Sequence, residues 1–199
     1  SPWDYRLAED LETVRNCWLS EYYQTKLHMC HVSTRGAIEA IQMAKLRGAP
    51  VTCEVTPHHL WFTNDTCDYR VNPPIRTADD VQALIDGIRS GVVDAISAMP
   101  YPDHYSASGS WLPWEHPYET MKTFGEKAAA RQQETPSPAA VRTWIQCYNA
   151  IREPYNTYGP DEIAAQIRAL NDTGNTGGYM TWNAASSLDK YRYVSGVLN

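Results

Sequence analysis

Lys26–Leu60, KLHMCHVSTRGAIEAIQMAKLRGAPVTCEVTPHHL, constrains the fold more than any other stretch of the chain. It reads as strand, helix, strand. Leu27–Val32 is an apolar run that carries His28 and His31. Ser33 or Thr34 is placed to cap a helix with the apolar residues Ala37, Ile38, Ile41 and Ala44. Gly48 suits the left-handed position that ends it. Val51–Val55 is the second strand, closed by Pro57, with His58 and His59 behind it. Residues just past the strand ends of a parallel α/β unit line its functional face, which sets His31 beside His58.

The alternation continues along the chain. Asp4–Tyr23 is helical in period, with Leu7, Leu11, Val14, Trp18 and Leu19 on one stripe. Tyr69–Asn72 is a short strand stopped by Pro73-Pro74. Thr77–Asp80 has the form of a capping box with Asp in place of Glu, ahead of a helix with Val81, Leu84, Ile85 and Ile88 on one face. Gly91 ends that helix and Val92–Met99 is a further strand. Tyr101–Glu115 is a loop rich in Pro, Ser, Gly and aromatics. A helix starts at Pro117, Thr135–Pro138 is a break, and Val141–Tyr148 alternates as a strand. A helix from Pro160 turns Ile163, Ile167 and Leu170 inward. Gly178–Trp182 is the last strand and Leu188–Leu198 a closing helix. Six strands separated by capped helices give an α/β fold of repeated βα units with a mostly parallel sheet.

The 199 residues suit one domain, and 43% hydrophobic residues supply a core. A net charge of −6 argues against a nucleic-acid partner. No apolar run reaches membrane-spanning length, and the polar, aromatic opening Ser1–Arg6 is unlike a signal peptide. The five cysteines are odd in number and unpatterned, with Cys30 and Cys53 expected as buried thiols. They point to a reducing, cytoplasmic compartment.

LHMCHVST, VTCEVTPHHL, VNPPIR and the Val92–Ile96 strand resemble dihydroorotase of the amidohydrolase superfamily, over residues 1–96. The resemblance implies the last four strands of a (βα)8 barrel. It implies His31 and His58 as single-histidine metal ligands, and Asn72 as the asparagine that holds a pyrimidine substrate. AISAMPYPDHYS, HPYETMK, VRTWIQCYN, TYGPDEIAAQIRALNDTG and GGYMTWNAA resemble instead a barrel-shaped family of glycoside hydrolase domains, over residues 93–199. The two patterns overlap at Val93–Ile96. The chain therefore reads as a chimera of two barrel fragments, natural or engineered, within one α/β domain: a dihydroorotase-like part at 1–96 and a glycoside-hydrolase-like part at 97–199. The fold is TIM-barrel-derived, partial or rearranged. Six strands fall short of the usual eight, and open sheet edges invite self-association.

The amidohydrolase pattern also requires a His-x-His pair after the first strand and a bridging lysine or aspartate after the fourth, both of which fall ahead of Ser1. Its aspartate base aligns with Met99, which cannot accept a proton. The implied cofactor is zinc, with an incomplete ligand set, because zinc takes four ligands or three and a water. Without further ligands, His31 and His58 are vestigial or solvated. His28 and His59 read as packing or hydrogen-bonding groups, and Asp103 and His104, just past the next strand end, are the donors that could complete a metal site by accident. A glycosidase needs two carboxylates flanking one sugar, spaced about 5–5.5 Å for retention or about 6.5–9.5 Å for inversion. Asp103 and Glu115 are the catalytic candidates, ahead of Glu153 and Asp189, and Trp111, Trp114, Trp144 and Trp182 offer stacking surfaces. None sits in a specific motif. The leading expectation is a chimera without efficient native catalysis. The alternatives are a metal-dependent hydrolase of cyclic amides and a carbohydrate-active or carbohydrate-binding module.

Overall fold

The computed structural model describes residues 5–134, 139–175 and 177–198, so the break expected at Thr135–Pro138 lies outside the described residues. The chain divides into two units, Ser1–Ser97 with Ser137–Ala140, and Ala98–Pro136 with Val141–Asn199.

The first unit is built on a parallel ladder. Strand β1 (Leu27–Met29) pairs with β2 (Val51–Val55), with Leu27 opposite Val51, His28 opposite Thr52 and Met29 opposite Cys53. Strand β3 (Ala95–Ile96) lies on the other side of β2. Its pairing reaches past both ends, since the Asp94 N–H donates to Cys53 O and the Ser97 N–H to Val55 O. Ala140 adds its N–H to Asp94 O. Helix α1 (Arg6–Tyr23) precedes the sheet and α2 (Arg35–Leu46) joins β1 to β2. A short α3 (Pro57–Trp61) and α4 (Ala78–Arg89) lie between β2 and β3 in the chain.

Local chemistry explains these elements. Thr34 caps α2 by accepting from the Ala37 N–H, and Gly48 follows at φ 84°, a conformation that favours glycine. Ala37, Ile38, Ile41 and Ala44 are all buried and join Val51, Cys53, Val55 and Leu84 in the core. Asp80 closes the capping box of α4 on Thr77. Helix α3 follows β2 directly, on residues to which the sequence reading assigned no element. Thr56 caps it and Pro57 starts it, a cap-and-proline signal visible in the sequence. Tyr69–Asn72 departs from expectation. It is irregular backbone that pairs with no strand among the described residues and runs into Pro73 and Pro74, which lack the N–H that would extend a ladder.

Helix α1 forms where its period predicts, but it buries a different face from its apolar stripe. Leu7, Leu11, Val14, Trp18 and Leu19 face solvent, with Leu7 69% and Trp18 63% exposed. The buried face is Thr13, Cys17 and Ser20. Acids decide the orientation. Glu9 accepts from the Ser33 and Thr34 N–H groups, from Ser33 Oγ at 2.5 Å and from the Arg76 guanidinium at 2.9 Å. Asp10 accepts from Thr34 Oγ1 at 2.5 Å. These bonds place carboxylates at the α2 N-terminus, where the helix dipole favours them.

In the second unit, β5 (Thr143–Gln146) pairs in parallel with β6 (Tyr179–Trp182). The expected strand Val141–Tyr148 is split at Arg142, with β4 (Ala140–Val141) ahead of β5. Helices α5 (Pro117–Gln133), α6 (Pro160–Asp172) and α7 (Leu188–Val194) pack Met121, Ile163, Leu170 and Val194 around Ile145. Tyr101–Glu115 contains two 3-10 turns, Pro102–His104 and Pro113–Glu115. Among the described residues, no helix is long and apolar enough to cross a membrane.

Candidate functional site

Side chains alternate along a strand, so His28 and Cys30 share one face of the β1 edge, and Thr52 and Glu54 share the same face of β2. Glu54 is the hub of what results. It is fully buried inside β2, between Cys53 and Val55. One oxygen, Oε2, lies 3.3 Å from His28 Nε2, and the other, Oε1, lies 2.9 Å from His31 Nδ1. His31 reaches Glu54 because its backbone turns left-handed, at φ 56°. That turn brings two sequence neighbours, Cys30 and His31, to one carboxylate. His28, Cys30 and Glu54 offer ligand atoms within 4.8 Å of one another.

The expected pair His31 and His58 are close enough for the His31 charge to bear on His58. Burial first, and then that charge, lower the pKa of His58. His59 is a structural residue. Its Nδ1 meets Thr56 Oγ1 at 2.8 Å and its Nε2 meets Pro73 O at 3.0 Å. Burial, with the neighbouring His58, lowers its pKa to about 4. His28, expected only to pack, belongs to the cluster. Cys30, expected to be buried, is exposed at the strand end, while Cys53 is buried as expected. Burial of its sulfur, followed by the Glu54 charge, still pushes the Cys30 thiol up to about 11. Asn72 is exposed on a cleft of about 680 Å³ that also holds Arg6, Asn64, Arg70 and Arg76. Glu54 itself escaped the sequence reading. The available signal was a charged residue two positions past Thr52 in an otherwise apolar strand.

Asp103 belongs to the second unit, where it is buried and fully engaged. Its Oδ1 accepts from Tyr148 Oη at 2.9 Å, its Oδ2 from the Ile151 N–H at 3.3 Å, and its own N–H donates to Gln146 Oε1. Burial and that bond raise the Tyr148 pKa far above its usual range. His104 Nε2 stands 3.3 Å from Tyr148 Oη. Glu115, Glu153 and Asp189 are exposed. Trp114 is buried, donating Nε1–H to Pro154 O, and Trp111 stacks on His116. Trp144 and Trp182 meet edge to face beside an open groove along β6 that Trp144, Tyr179 and Thr181 line. The residues of the first cluster fit a metal: imidazole, thiolate and carboxylate are the donors that zinc takes.

Curated relatives include a dihydroorotase of Clostridium botulinum (strain Eklund 17B / Type B), 48% identical over 99 residues, which are 50% of this chain and 25% of the relative. A dihydroorotase of Geobacter metallireducens is 42% identical over 108 residues, 52% of this chain and 25% of the relative. The chain thus spans about a quarter of the length of these relatives. Among solved structures, a D-hydantoinase matches 44% of this chain and 21% of its own, at 24% identity and a TM-score of 0.42. The family model described as "Putative glycosyl hydrolase domain" matches residues 71–188, starting ahead of the residue-93 boundary that the motifs suggested. That one model takes in more than half of the sequence, and the chain belongs to the glycosyl hydrolase domain family it describes.

Proposed function

We propose that the chain is a fusion of an amidohydrolase-derived unit with a unit of the glycosyl hydrolase domain family, and that it performs neither parental hydrolysis efficiently. The observation that carries this reading is the division of the likenesses. The dihydroorotase matches cover half of the chain, whereas the glycosyl hydrolase model takes residues 71–188. The geometry supports the second clause. Asp103 already accepts bonds on both oxygens, and Glu115 is exposed in a 3-10 turn, so neither is poised as a glycosidase acid or nucleophile. Met99 stands where the amidohydrolase pattern needs a base. The purified chain, supplied with zinc, is assayed against a dihydropyrimidine cyclic amide and against aryl glycosides. Rates equal to buffer are expected in both, and zinc-dependent or acid–base-dependent turnover of either overturns the reading.

A second reading, slow metal-assisted hydrolysis of a cyclic amide, draws on the proximity of His31 to His58 and on Asn72 in the first unit's cleft. In that case His31 and His58 would hold zinc, which would supply an activated water, and Asn72 would orient the ring amide. The fusion reading also includes self-association, because among the described residues β1 lies at the sheet edge beside β2, and α1 exposes its apolar stripe.

A further inference from the structure

We propose that His28, Cys30 and Glu54 form a zinc-class metal site at the β1–β2 strand ends, distinct from the His31–His58 pair. The donor set is one imidazole nitrogen, one thiolate and one carboxylate oxygen, with the fourth position open to water. Glu54 is buried while His28 and Cys30 are reachable from solvent, so an ion enters from the exposed side.

Hydrogen bonding around His28 suits a ligand role. Thr52 Oγ1 lies 2.8 Å from His28 Nδ1 and 3.3 Å from Leu27 O, and His28 Nε2 faces Glu54 Oε2 at 3.3 Å. Two tautomers fit these contacts. In one, the Thr52 hydroxyl donates to Nδ1 and the Nε2–H donates to Glu54. In the other, the ring proton sits on Nδ1 and is donated to Thr52 Oγ1, whose own proton turns to Leu27 O, and Nε2 is free to ligate. A metal ion between Nε2 and Glu54 selects the second, with Thr52 as the outer-shell partner of the histidine. His31 Nδ1 stands 2.9 Å from the other Glu54 oxygen, on the far side of the carboxylate.

The distances suit the ion. Tetrahedral zinc with a bond of about 2.3 Å to sulfur and about 2.0 Å to nitrogen sets those two ligands about 3.5 Å apart. The Nε2–Oε2 separation is already 3.3 Å, and the largest ligand separation is 4.8 Å at most. Rotation of the accessible Cys30 and His28 side chains closes the remainder. On binding, the S–H bond of Cys30 breaks, its proton leaves to water and the electron pair forms the bond to zinc.

Cobalt(II) reports on this site because thiolate ligation gives it a charge-transfer band in the near ultraviolet. Chelator-treated protein titrated with Co²⁺ is expected to develop that band at one equivalent. Cys30→Ser removes the band, His28→Ala weakens Zn²⁺ binding by roughly tenfold or more, and Cys67→Ser leaves both unchanged. Cys30 is exposed, so its serine variant is expected to fold, and circular dichroism checks that it has. The proposal is overturned if one equivalent binds without a thiolate band, if the band survives Cys30→Ser, or if binding is lost in His58→Ala while Cys30→Ser retains it. The last result would favour the cyclic-amide reading instead.

Discussion

Two buried titratable residues of the first unit give the protein an acid sensitivity that can be worked out group by group. Burial lowers the His59 pKa to about 4 from an ordinary 6.5. A depressed folded-state value means that its contribution is complete above pH 6.5 and is lost as pH falls through 4, about 3 kcal/mol in all. For Asp80, burial raises the pKa, but bonds from Arg6, Thr77 and the Arg35 N–H outweigh it and hold the carboxyl at about 2 against an ordinary 3.8. Its contribution is present above pH 3.8 and is lost as pH falls through 2, about 2 kcal/mol. Urea midpoints measured from pH 8 to pH 2 are expected to decline in two stages. His59→Gln flattens the upper stage and Asp80→Asn the lower. A single stage unaffected by His59→Gln would refute the assignment.

Helix α1 tests which face of an element carries the energy. Arg76 is 3% exposed and bonded to Glu9, so Glu9→Gln removes the counter-charge of a buried guanidinium that keeps its bond to Ser33, and is expected to cost about 3 kcal/mol. Leu11→Lys, on the solvent side, is expected to change stability by less than about 0.5 kcal/mol. Thermal melts of the two variants check the contrast, and the reverse order would mean that the apolar stripe is buried. The sequence made α2 fully legible, cap and core face included, because its apolar period, Thr34 and Gly48 agree with each other. A similar apolar period on α1 locates the helix but does not mark its buried face. There the choice is made by long-range carboxylate bonds to Ser33, Thr34 and Arg76, which no local pattern records. The candidate site was legible in the same partial way. Histidines past strand ends announce themselves, but Glu54 and the left-handed turn at His31 act through a neighbouring strand and a backbone angle. Tyr69–Asn72 and the split at Arg142 depend likewise on which strands find partners.

At the scale of the molecule, the strands form parallel ladders in each unit, which matches the α/β reading of repeated βα units. Edges and exposed apolar side chains set the expected solution behaviour. Light scattering should show a mass that rises with concentration, and Leu11→Lys with Trp18→Lys should return it to that of one chain. A single-chain mass at every concentration would contradict self-association. The family model and the dihydroorotase relatives each draw on part of one sequence, and the central claim is that ancestry outlasted chemistry here. The most direct test is ring opening of a dihydropyrimidine cyclic amide by the zinc-supplemented protein, compared with its His31→Ala and His58→Ala variants. All three are expected to match the buffer rate. Turnover by the parent protein that disappears in both variants would contradict the account.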